Sequence, residues 1–324
     1  MKEKNKYMKK SIFLLACLLC LGLTSCQEEP ITPKLFDTNA PAYDESLATV
    51  AFDRYLDSIY VTPYNVKYLY RMNDIGSNLS YNLVPARYEK AVQLAVLTKY
   101  LWFDVYKEVV SPDFLKEYGP RILFIVGSPA YNPEQGTETL GTAEGGIKVT
   151  LYKVNQMKPT NIAHLNEFFF HTMHHEFAHI LHQTKSYPKE YDAISAGKYS
   201  PTGWQNRSLA AANELGFITS YAGMEAREDF VEVISCYITE TQANWDAMLK
   251  RAEKGKVSDT ETGKDIILRK FEMAKNWLAN SWNIDIEVLR EEVQKRQDQL
   301  GGDESFFIQL MSEAGFGDDR FINQ

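Results

Sequence analysis

The sequence has few cysteines and few histidines, and the histidines are confined to one short stretch. Four cysteines occur in 324 residues, at positions 17, 20, 26 and 236, and all six histidines lie between positions 164 and 182. Beyond the N-terminal segment Cys236 stands alone, so this part of the chain cannot form an intramolecular disulfide framework. A nucleophilic cysteine is disfavoured, because an activating histidine would have to come from one segment. We expect Cys236 to be a small buried residue.

The sequence also lacks an apolar run long enough for a permanent membrane span. Ile12–Leu23 is an apolar stretch of 12 residues, whereas a spanning helix needs ~20. Five lysines precede it and Leu23-Thr24-Ser25-Cys26 closes it, a pattern typical of a cleaved signal. The tetrad resembles the lipobox of bacterial lipoproteins, which implies cleavage after residue 25 and acylation of Cys26. The alternative is an ordinary signal peptide with a chance cysteine.

Residues 26–45 have the composition of a flexible tether. The pair Glu28-Glu29 resembles the surface-export signal of lipoproteins in the Bacteroidetes group. Gln27, where an aspartate would favour retention, argues by the same resemblance against the inner membrane. We expect an outer-membrane lipoprotein, anchored through Cys26 and exposed at the cell surface; a periplasm-facing orientation is the alternative.

Basic residues are outnumbered by acidic ones, 35 to 43, which gives a net charge of −8. Residues 1–25 hold five lysines and one glutamate, so the rest of the chain carries −12. Such a chain is a poor candidate for binding nucleic acid, because duplex affinity depends largely on neutralised phosphates. With 44% hydrophobic residues the chain can build a sizeable core.

Hydrophobic periodicity predicts strands early in the chain and helices late. The predicted strands are 65–71, 121–126 and 146–154, and the last alternates apolar and polar residues as a half-exposed strand does. The predicted helices are 46–59, 85–109 with Pro85 in the first turn, 161–184, 208–216, 225–250, 264–279 and 285–299, with a long loop over 186–206. This order indicates the α+β class. We expect one domain over 46–324, with a small sheet in 46–159 and a mainly helical part in 160–324.

The histidine-rich helix contains the most specific motif of the chain, H-E-x-x-H over His175–His179. Side chains four residues apart on a helix lie ~5–6 Å from each other on one face, so two imidazoles can bind one ion. Glu176 can then act as general base toward a water at the metal. His171 and His179 are ~12 Å apart along the axis, too far for one ion to join both with His175. We expect His171 and His182 beside the site, and histidines 164 and 174 to be solvated or capping.

A catalytic zinc site needs a third protein ligand and an open position for water. Because no histidine follows residue 182, that ligand should be an acid. The best candidates lie in the acidic stretch 225–232. We expect Glu228 to bind the metal and Glu232 to accept the Nδ1–H of a ligating histidine. Asp229 and Glu232 are the alternative ligands.

The spacing of Tyr221, Glu228 and Glu232 behind the H-E-x-x-H motif is similar to that of anthrax lethal factor, a gluzincin. The resemblance implies that His175, His179 and Glu228 hold one Zn²⁺ per chain and that Glu232 supports a ligating histidine. It also implies that the hydroxyl of Tyr221 stabilises the oxyanion.

The wider chain resembles the substrate import-associated zinc metallohydrolase lipoproteins, also described as putative zinc-binding metallopeptidases. The resemblance rests on the lipobox, Pro63-Tyr64-Asn65, His174–Leu181, Gly216-Phe217, Ser220-Tyr221-Ala222 and Glu228-Asp229-Phe230. It implies a zincin-like metalloprotease fold, a peptide or protein substrate, and an outer-membrane nutrient import system as partner.

These observations predict a zinc metallopeptidase in which Glu176 activates the attacking water, and we expect strand 146–154 to pair with an extended substrate. The alternative for that strand is an ordinary edge strand. The rival function is a non-enzymatic surface lipoprotein that binds nutrients or a partner beside a transporter, with structural or absent zinc. Glu176 favours the enzyme, because a structural zinc site does not need it. Hydrolysis of another amide bond stays open.

Overall fold

The computed structural model describes residues 48–72, 82–132, 137–139, 141–144 and 147–322. The chain divides into two compact units, Met1–Val50 and Ala51–Gln324, and nearly all described residues belong to the second. The predicted signal peptide, Cys26 and the tether lie outside the described residues. The predicted domain boundaries therefore stay a prediction.

A four-stranded sheet is formed by β1 (Lys67–Leu69), β2 (Ile122–Ile125), β5 (Gly141–Glu144) and β6 (Lys148–Leu151). Its strand order is β1-β2-β6-β5. The first three strands are parallel, and β5 runs antiparallel to β6. A separate antiparallel ribbon pairs β3 (Ala130–Asn132) with β4 (Thr137–Thr139). Strand β2 is apolar on both faces, as expected of a strand covered on both sides.

One long helix precedes strand β1, and a second lies between β1 and β2 in the chain. Each of them contains a π-helical segment. Helix α1 covers Val50–Leu56, Asp57–Val61 and Thr62–Tyr64. Helix α2 covers Tyr88–Thr98, Lys99–Phe103 and Asp104–Val109, and the short helix α3 covers Phe114–Tyr118. Trp102 and Phe103 in the π-helical part of α2 are fully buried. They anchor the aromatic core on which the histidine-rich helix rests.

Helix α4 carries the H-E-x-x-H motif and covers Ile162–Leu165, Asn166–Phe170 and His171–Thr184. It begins where the side chain of Asn161 accepts a hydrogen bond from the backbone N–H of His164. Phe177, inside the motif, packs edge-to-face on Trp102 and Tyr106, with centroid distances of 5.2 and 5.0 Å. This contact fixes the rotation of α4, so that His175 and His179 lie on a different side of the helix from the aromatic cluster.

The C-terminal half is helical throughout. The helices are α5 (Glu190–Ile194), α6 (Leu209–Glu214), α7 (Ala226–Thr239), α8 (Gln242–Ala252), α9 (Gly263–Trp282), α10 (Ile286–Gly302), α11 (Glu304–Glu313) and α12 (Asp319–Ile322). Helix α7 packs against α4, α9 and α10. The predicted α+β class, with a small sheet and a mainly helical second half, is confirmed. Among the described helices, none is long and apolar enough to cross a membrane.

The prediction that the strand over 146–154 is half exposed is wrong. Strand β6 is paired on both edges, with β2 and β5. Thr150, predicted to face solvent, is 1% exposed, because its face of the sheet is covered by a small apolar cluster that includes Phe124 and Tyr152. The backbone groups of β6 are thus used within the sheet, and β6 cannot pair with a substrate.

Three smaller predictions also need correction. Pro85 is not in the first turn of α2 but forms an isolated bridge with Val126, and the helix begins at Tyr88. The predicted loop over 186–206 contains helix α5 and a 3₁₀ turn, Trp204–Asn206. The predicted helix over 225–250 is two helices, because Thr241 caps the start of α8 by accepting from the N–H of Asn244.

The chain end after α11 packs back onto the N-terminal helices through Phe316, which is 4% exposed. Its ring contacts Phe52 and Tyr55 edge-to-face, at 5.8 and 5.5 Å. We expect Phe316→Ala to lower the free energy of unfolding by ~3 kcal/mol, because it leaves a cavity in this aromatic cluster. Urea denaturation measures the loss, with Val288→Ala, a 47% exposed site, as control. Equal losses in both variants would contradict the packing argument.

Candidate metal centre

Packing of helix α7 against helix α4 brings the three predicted metal ligands together. His175 and His179 lie one turn apart on α4, and Glu228 comes from the first turn of α7. Oε2 of Glu228 lies 3.1 Å from Nε2 of His175 and 3.3 Å from Nε2 of His179. Two atoms bound to zinc at ~2.1 Å with a tetrahedral angle lie ~3.4 Å apart. These two separations are close to that value, and all three donor atoms lie within 4.8 Å of one another, so the group can bind one zinc ion.

A second group of possible ligands, His171, His175 and Glu232, has shorter separations, which suit hydrogen bonds better than shared binding of a metal. Oε2 of Glu232 lies 2.8 Å from Nδ1 of His175 and 3.0 Å from Nε2 of His171. Glu232 thus lies beside Nδ1 of His175, at a distance from which it can accept the Nδ1–H. A proton on Nδ1 leaves Nε2 of the same ring free to bind a metal.

The second predicted ligand, His179, has its own hydrogen-bond partner. Its Nδ1 lies 2.9 Å from Nε2 of His182, three residues later on α4. Burial, followed by the charge of His179, lowers the pKa of His182 to about 4. His182 is therefore neutral at physiological pH, and its Nε2 can accept the Nδ1–H of His179. Each of the two histidines is held by a different acceptor, a carboxylate for His175 and an imidazole for His179.

The charges around His175 favour a cation at this place. Burial opposes a proton on His175, but hydrogen bonds to Glu228 and Glu232 outweigh it and raise the pKa of His175 to about 10. Burial would raise the pKa of both carboxyls, yet the neighbouring histidines hold each pKa well below its usual range. Both carboxylates are ionised at neutral pH. Imidazole nitrogens beside ionised carboxylates are a donor set suited to zinc.

Glu176 and Tyr221 lie next to this donor set. Glu176 is 9% exposed and close enough that its charge raises the pKa of both His175 and Tyr221. The ring of Tyr221 lies 5.8 Å from that of His175, centroid to centroid. Burial first, and then the charge of Glu228, raise the pKa of Tyr221 well above its usual range. Its hydroxyl therefore stays protonated and can donate a hydrogen bond.

Asp229, the alternative ligand in the sequence, points away from the histidines. Its Oδ2 lies 2.6 Å from Nζ of Lys270 and accepts a hydrogen bond from the hydroxyl of Tyr199 at 2.9 Å. Asp229 and Lys270 are both almost completely buried, and Lys270 also donates to the carbonyl of Gly216. Removing one partner of such a pair leaves a buried unpaired charge. The pair therefore fixes the start of α7, one residue after Glu228.

The other histidines are only partly where the sequence predicts them. His171 lies beside the site as expected, bonded to Glu232. His174 is not solvated: it is 1% exposed, its Nδ1 lies 3.0 Å from the hydroxyl of Tyr106, and burial lowers its pKa to about 3. His174 is one residue before His175 and so points about a quarter turn away, into the core. His164 is half-buried at the start of α4.

Two residues at the site carry no sequence signal. The ring of Trp204, from the segment predicted as loop, packs edge-to-face on Tyr221 at 4.9 Å. Thr219 donates its hydroxyl to Oε1 of Glu232 at 2.8 Å. Neither residue lies at a fixed spacing from the metal motif in the sequence. Both reach the site through the folding of the segment between α5 and α7.

We expect His182→Ala to weaken zinc binding about tenfold, because His179 loses the acceptor that orients its ring. Competition with a chelator measures the zinc affinity of the purified variant. His164→Ala, on the same helix but away from the ligands, is the matched control and should bind zinc like the unaltered chain. Unchanged affinity in His182→Ala would contradict the orienting role.

Comparison with known proteins places this site in a family. Residues 45–287 match the family described as "putative zinc-binding metallo-peptidase". The chain is also similar to a solved structure, the crystal structure at 2.10 Å resolution of a putative zinc-binding metallo-peptidase from Bacteroides caccae. The two sequences are 42% identical, the match covers 81% of this chain and 97% of that chain, and the TM-score is 0.68. No curated protein matches the chain.

The family match includes both helices that carry His175, His179 and Glu228, and the solved relative is similar over nearly its whole length. This chain belongs to the family of putative zinc-binding metallo-peptidases.

Proposed function

We propose that this protein is a gluzincin-type zinc metallopeptidase with one zinc ion held by His175, His179 and Glu228. The observation that carries the proposal is the convergence of Nε2 of both histidines on one carboxylate oxygen, at 3.1 and 3.3 Å. Three protein donors are the number that a catalytic zinc site uses, with water as the fourth ligand, whereas structural sites use four protein ligands. Family membership supports the same class of activity.

Bound zinc would supply Lewis acidity, which polarises a peptide carbonyl and acidifies water. Glu176 takes the proton of the attacking water, because its carboxylate adjoins the ligand His175 on the same helix. The same carboxyl group then delivers that proton to the leaving amine nitrogen. Glu232 and His182 keep the two ligand rings in the required tautomers during this transfer.

Tyr221 is the proposed donor to the carbonyl oxygen as negative charge develops there. Its raised pKa keeps the hydroxyl protonated, so the hydroxyl can donate a hydrogen bond that stabilises this charge. Trp204 packs on the ring of Tyr221 and limits its movement. These contacts favour catalysis over a purely structural metal site, which requires neither a base nor an oxyanion donor.

Strand β5 is the proposed docking edge for an extended peptide. It is the last strand of the sheet and lies against helix α4, which carries the zinc ligands. Among the described strands none pairs with its outer edge. A peptide added there would form main-chain hydrogen bonds beside the site. This replaces β6, whose two edges are already paired.

The proposed location is the outer face of the outer membrane, through a lipid on Cys26 and a tether over residues 26–45. The support is the sequence pattern alone: the short apolar stretch, the Leu23-Thr24-Ser25-Cys26 tetrad and the acidic pair that follows it. A peptidase at that surface could act on peptides or proteins for an adjacent nutrient import system.

Glu176→Gln tests the enzyme proposal. We expect zinc to stay bound, because no ligand changes, and kcat for peptide cleavage to fall ~10²–10⁴-fold with loss of the general base. A peptide library digested by zinc-loaded protein, with zinc content from elemental analysis, gives both quantities. Glu167→Gln, an exposed glutamate on the same helix, is the matched control. A zinc-loaded chain that cleaves no peptide, or a variant that keeps full turnover, would contradict the proposal.

Cys26→Ser tests the anchor. We expect the variant to lose incorporation of labelled fatty acid and to leave the membrane fraction, because one lipidated cysteine supplies the attachment. Cys236→Ala, at a buried site, should keep both. Protease treatment of intact cells distinguishes the two orientations, since only a surface-exposed chain is digested. Continued labelling of Cys26→Ser would refute the anchor.

A further inference from the structure

The buried carboxylate of Glu232 receives hydrogen bonds from two different sides of the proposed active site. Oε2 accepts from His175 at 2.8 Å and from His171 at 3.0 Å, both on helix α4. Oε1 accepts from the hydroxyl of Thr219 at 2.8 Å. Glu232 is 4% exposed, so water cannot easily replace any of these donors. The orientation of the carboxylate is therefore set jointly by α4 and by the segment that contains Thr219.

Thr219 also fixes the turn that carries Tyr221. Its hydroxyl oxygen accepts a hydrogen bond from the backbone N–H of Ala222 at 3.1 Å. Tyr221 lies inside this closed loop, at the start of the 3₁₀ turn Tyr221–Gly223. A side-chain oxygen that accepts from an N–H three residues later holds the intervening backbone in one conformation. The direction of the tyrosine ring thus depends on the same hydroxyl that bonds Glu232.

The far side of the turn is held by the segment before helix α6. The hydroxyl of Ser220 donates to the carbonyl of Arg207 at 2.8 Å, and the N–H of Ser200 donates to the carbonyl of Gly223 at 2.8 Å. These bonds restrain the turn but make no contact with the zinc-ligand histidines. Thr219, in contrast, joins the turn to the ligand side of the site through Glu232.

We infer that Thr219 is a positioning residue that couples the zinc ligand His175, through Glu232, to the turn that aims Tyr221. The expected effect on turnover rests on the proposed function. The expected effect on metal binding does not depend on peptide cleavage. The chain of contacts runs from Nδ1–H of His175 to Glu232, from Glu232 to the Thr219 hydroxyl, and from that hydroxyl to the N–H after Tyr221. The Thr219 hydroxyl donates to Glu232 and accepts from the N–H of Ala222, so its removal breaks both hydrogen bonds together.

Thr219→Val removes this hydroxyl at nearly constant volume, and Thr219→Ser keeps it. Thr184→Val is the control, because the hydroxyl of Thr184 donates to the carbonyl of Ile180 in its own helix. We expect Thr219→Val to bind zinc about tenfold more weakly and to lower kcat about tenfold with little change in KM. Thr219→Ser and Thr184→Val should stay within about twofold of the unaltered chain.

Two further measurements separate positioning from a general loss of stability. In the cobalt-substituted protein, the visible spectrum should change in Thr219→Val and not in Thr219→Ser or Thr184→Val. In a cycle with Tyr221→Phe, the loss of kcat in the double variant should be smaller than the product of the two single losses, because both act on the same hydroxyl donor. If Thr219→Val does not fold, Thr219→Ala takes its place.

Failure of the proposed function and failure of this inference have different signatures. If the unaltered chain cleaves no peptide, zinc affinity and the cobalt spectrum still decide the role of Thr219. Unchanged zinc affinity and an unchanged spectrum in Thr219→Val would overturn the inference. So would a Thr219→Ser variant as impaired as Thr219→Val, or a fully multiplicative loss of kcat in the cycle with Tyr221→Phe.

Discussion

The contact between helix α7 and helix α4 is the constraint on which the site depends. The two helices are separated by more than forty residues in the chain, and their packing places the Glu228 carboxylate against both imidazoles of the H-E-x-x-H motif. Rotation of α4 is fixed by Phe177 in the aromatic core, and the start of α7 is fixed by the buried Asp229–Lys270 pair. A ligand set that must converge within a few tenths of an ångström needs both restraints.

The site concentrates polar groups where a protein interior would otherwise be apolar. His175 and Glu232 are buried, and each would be costly there without partners. The structure offsets that cost by pairing: Glu232 has three donors, and Glu228 faces two imidazoles. The same pairing sets the protonation state of each group, so that stability and chemistry depend on the same contacts. The same arrangement links Thr219, which lies outside any motif, to His175 through the carboxylate of Glu232.

The sequence predicted much of the fold, and its two errors about exposure share one cause. The helix with the metal motif, strand β2 and the α+β class follow from local periodicity, because each element shows its own apolar pattern. Strand β6 shows an alternating pattern too, but a second apolar cluster covers its polar face, and Thr150 is buried. His174 is next to His175 in the chain, so the two have nearly the same sequence neighbours, yet His174 faces Tyr106 in the core. Burial of a polar residue depends on what packs over it, which local periodicity does not contain.

By itself the sequence determined which residues to consider: two histidines four residues apart on a helix, with a glutamate between them, predict a metal site and a base through helix geometry alone. It also limited the third ligand to an acid, because no histidine follows residue 182. Only the tertiary structure decided that Glu228 faces the imidazoles while Asp229 faces Lys270, that His182 supports His179, and that Thr219 joins Glu232 to the turn of Tyr221. Those outcomes depend on how separate segments meet, and such meetings are fixed by packing across the whole core rather than by neighbours in the chain.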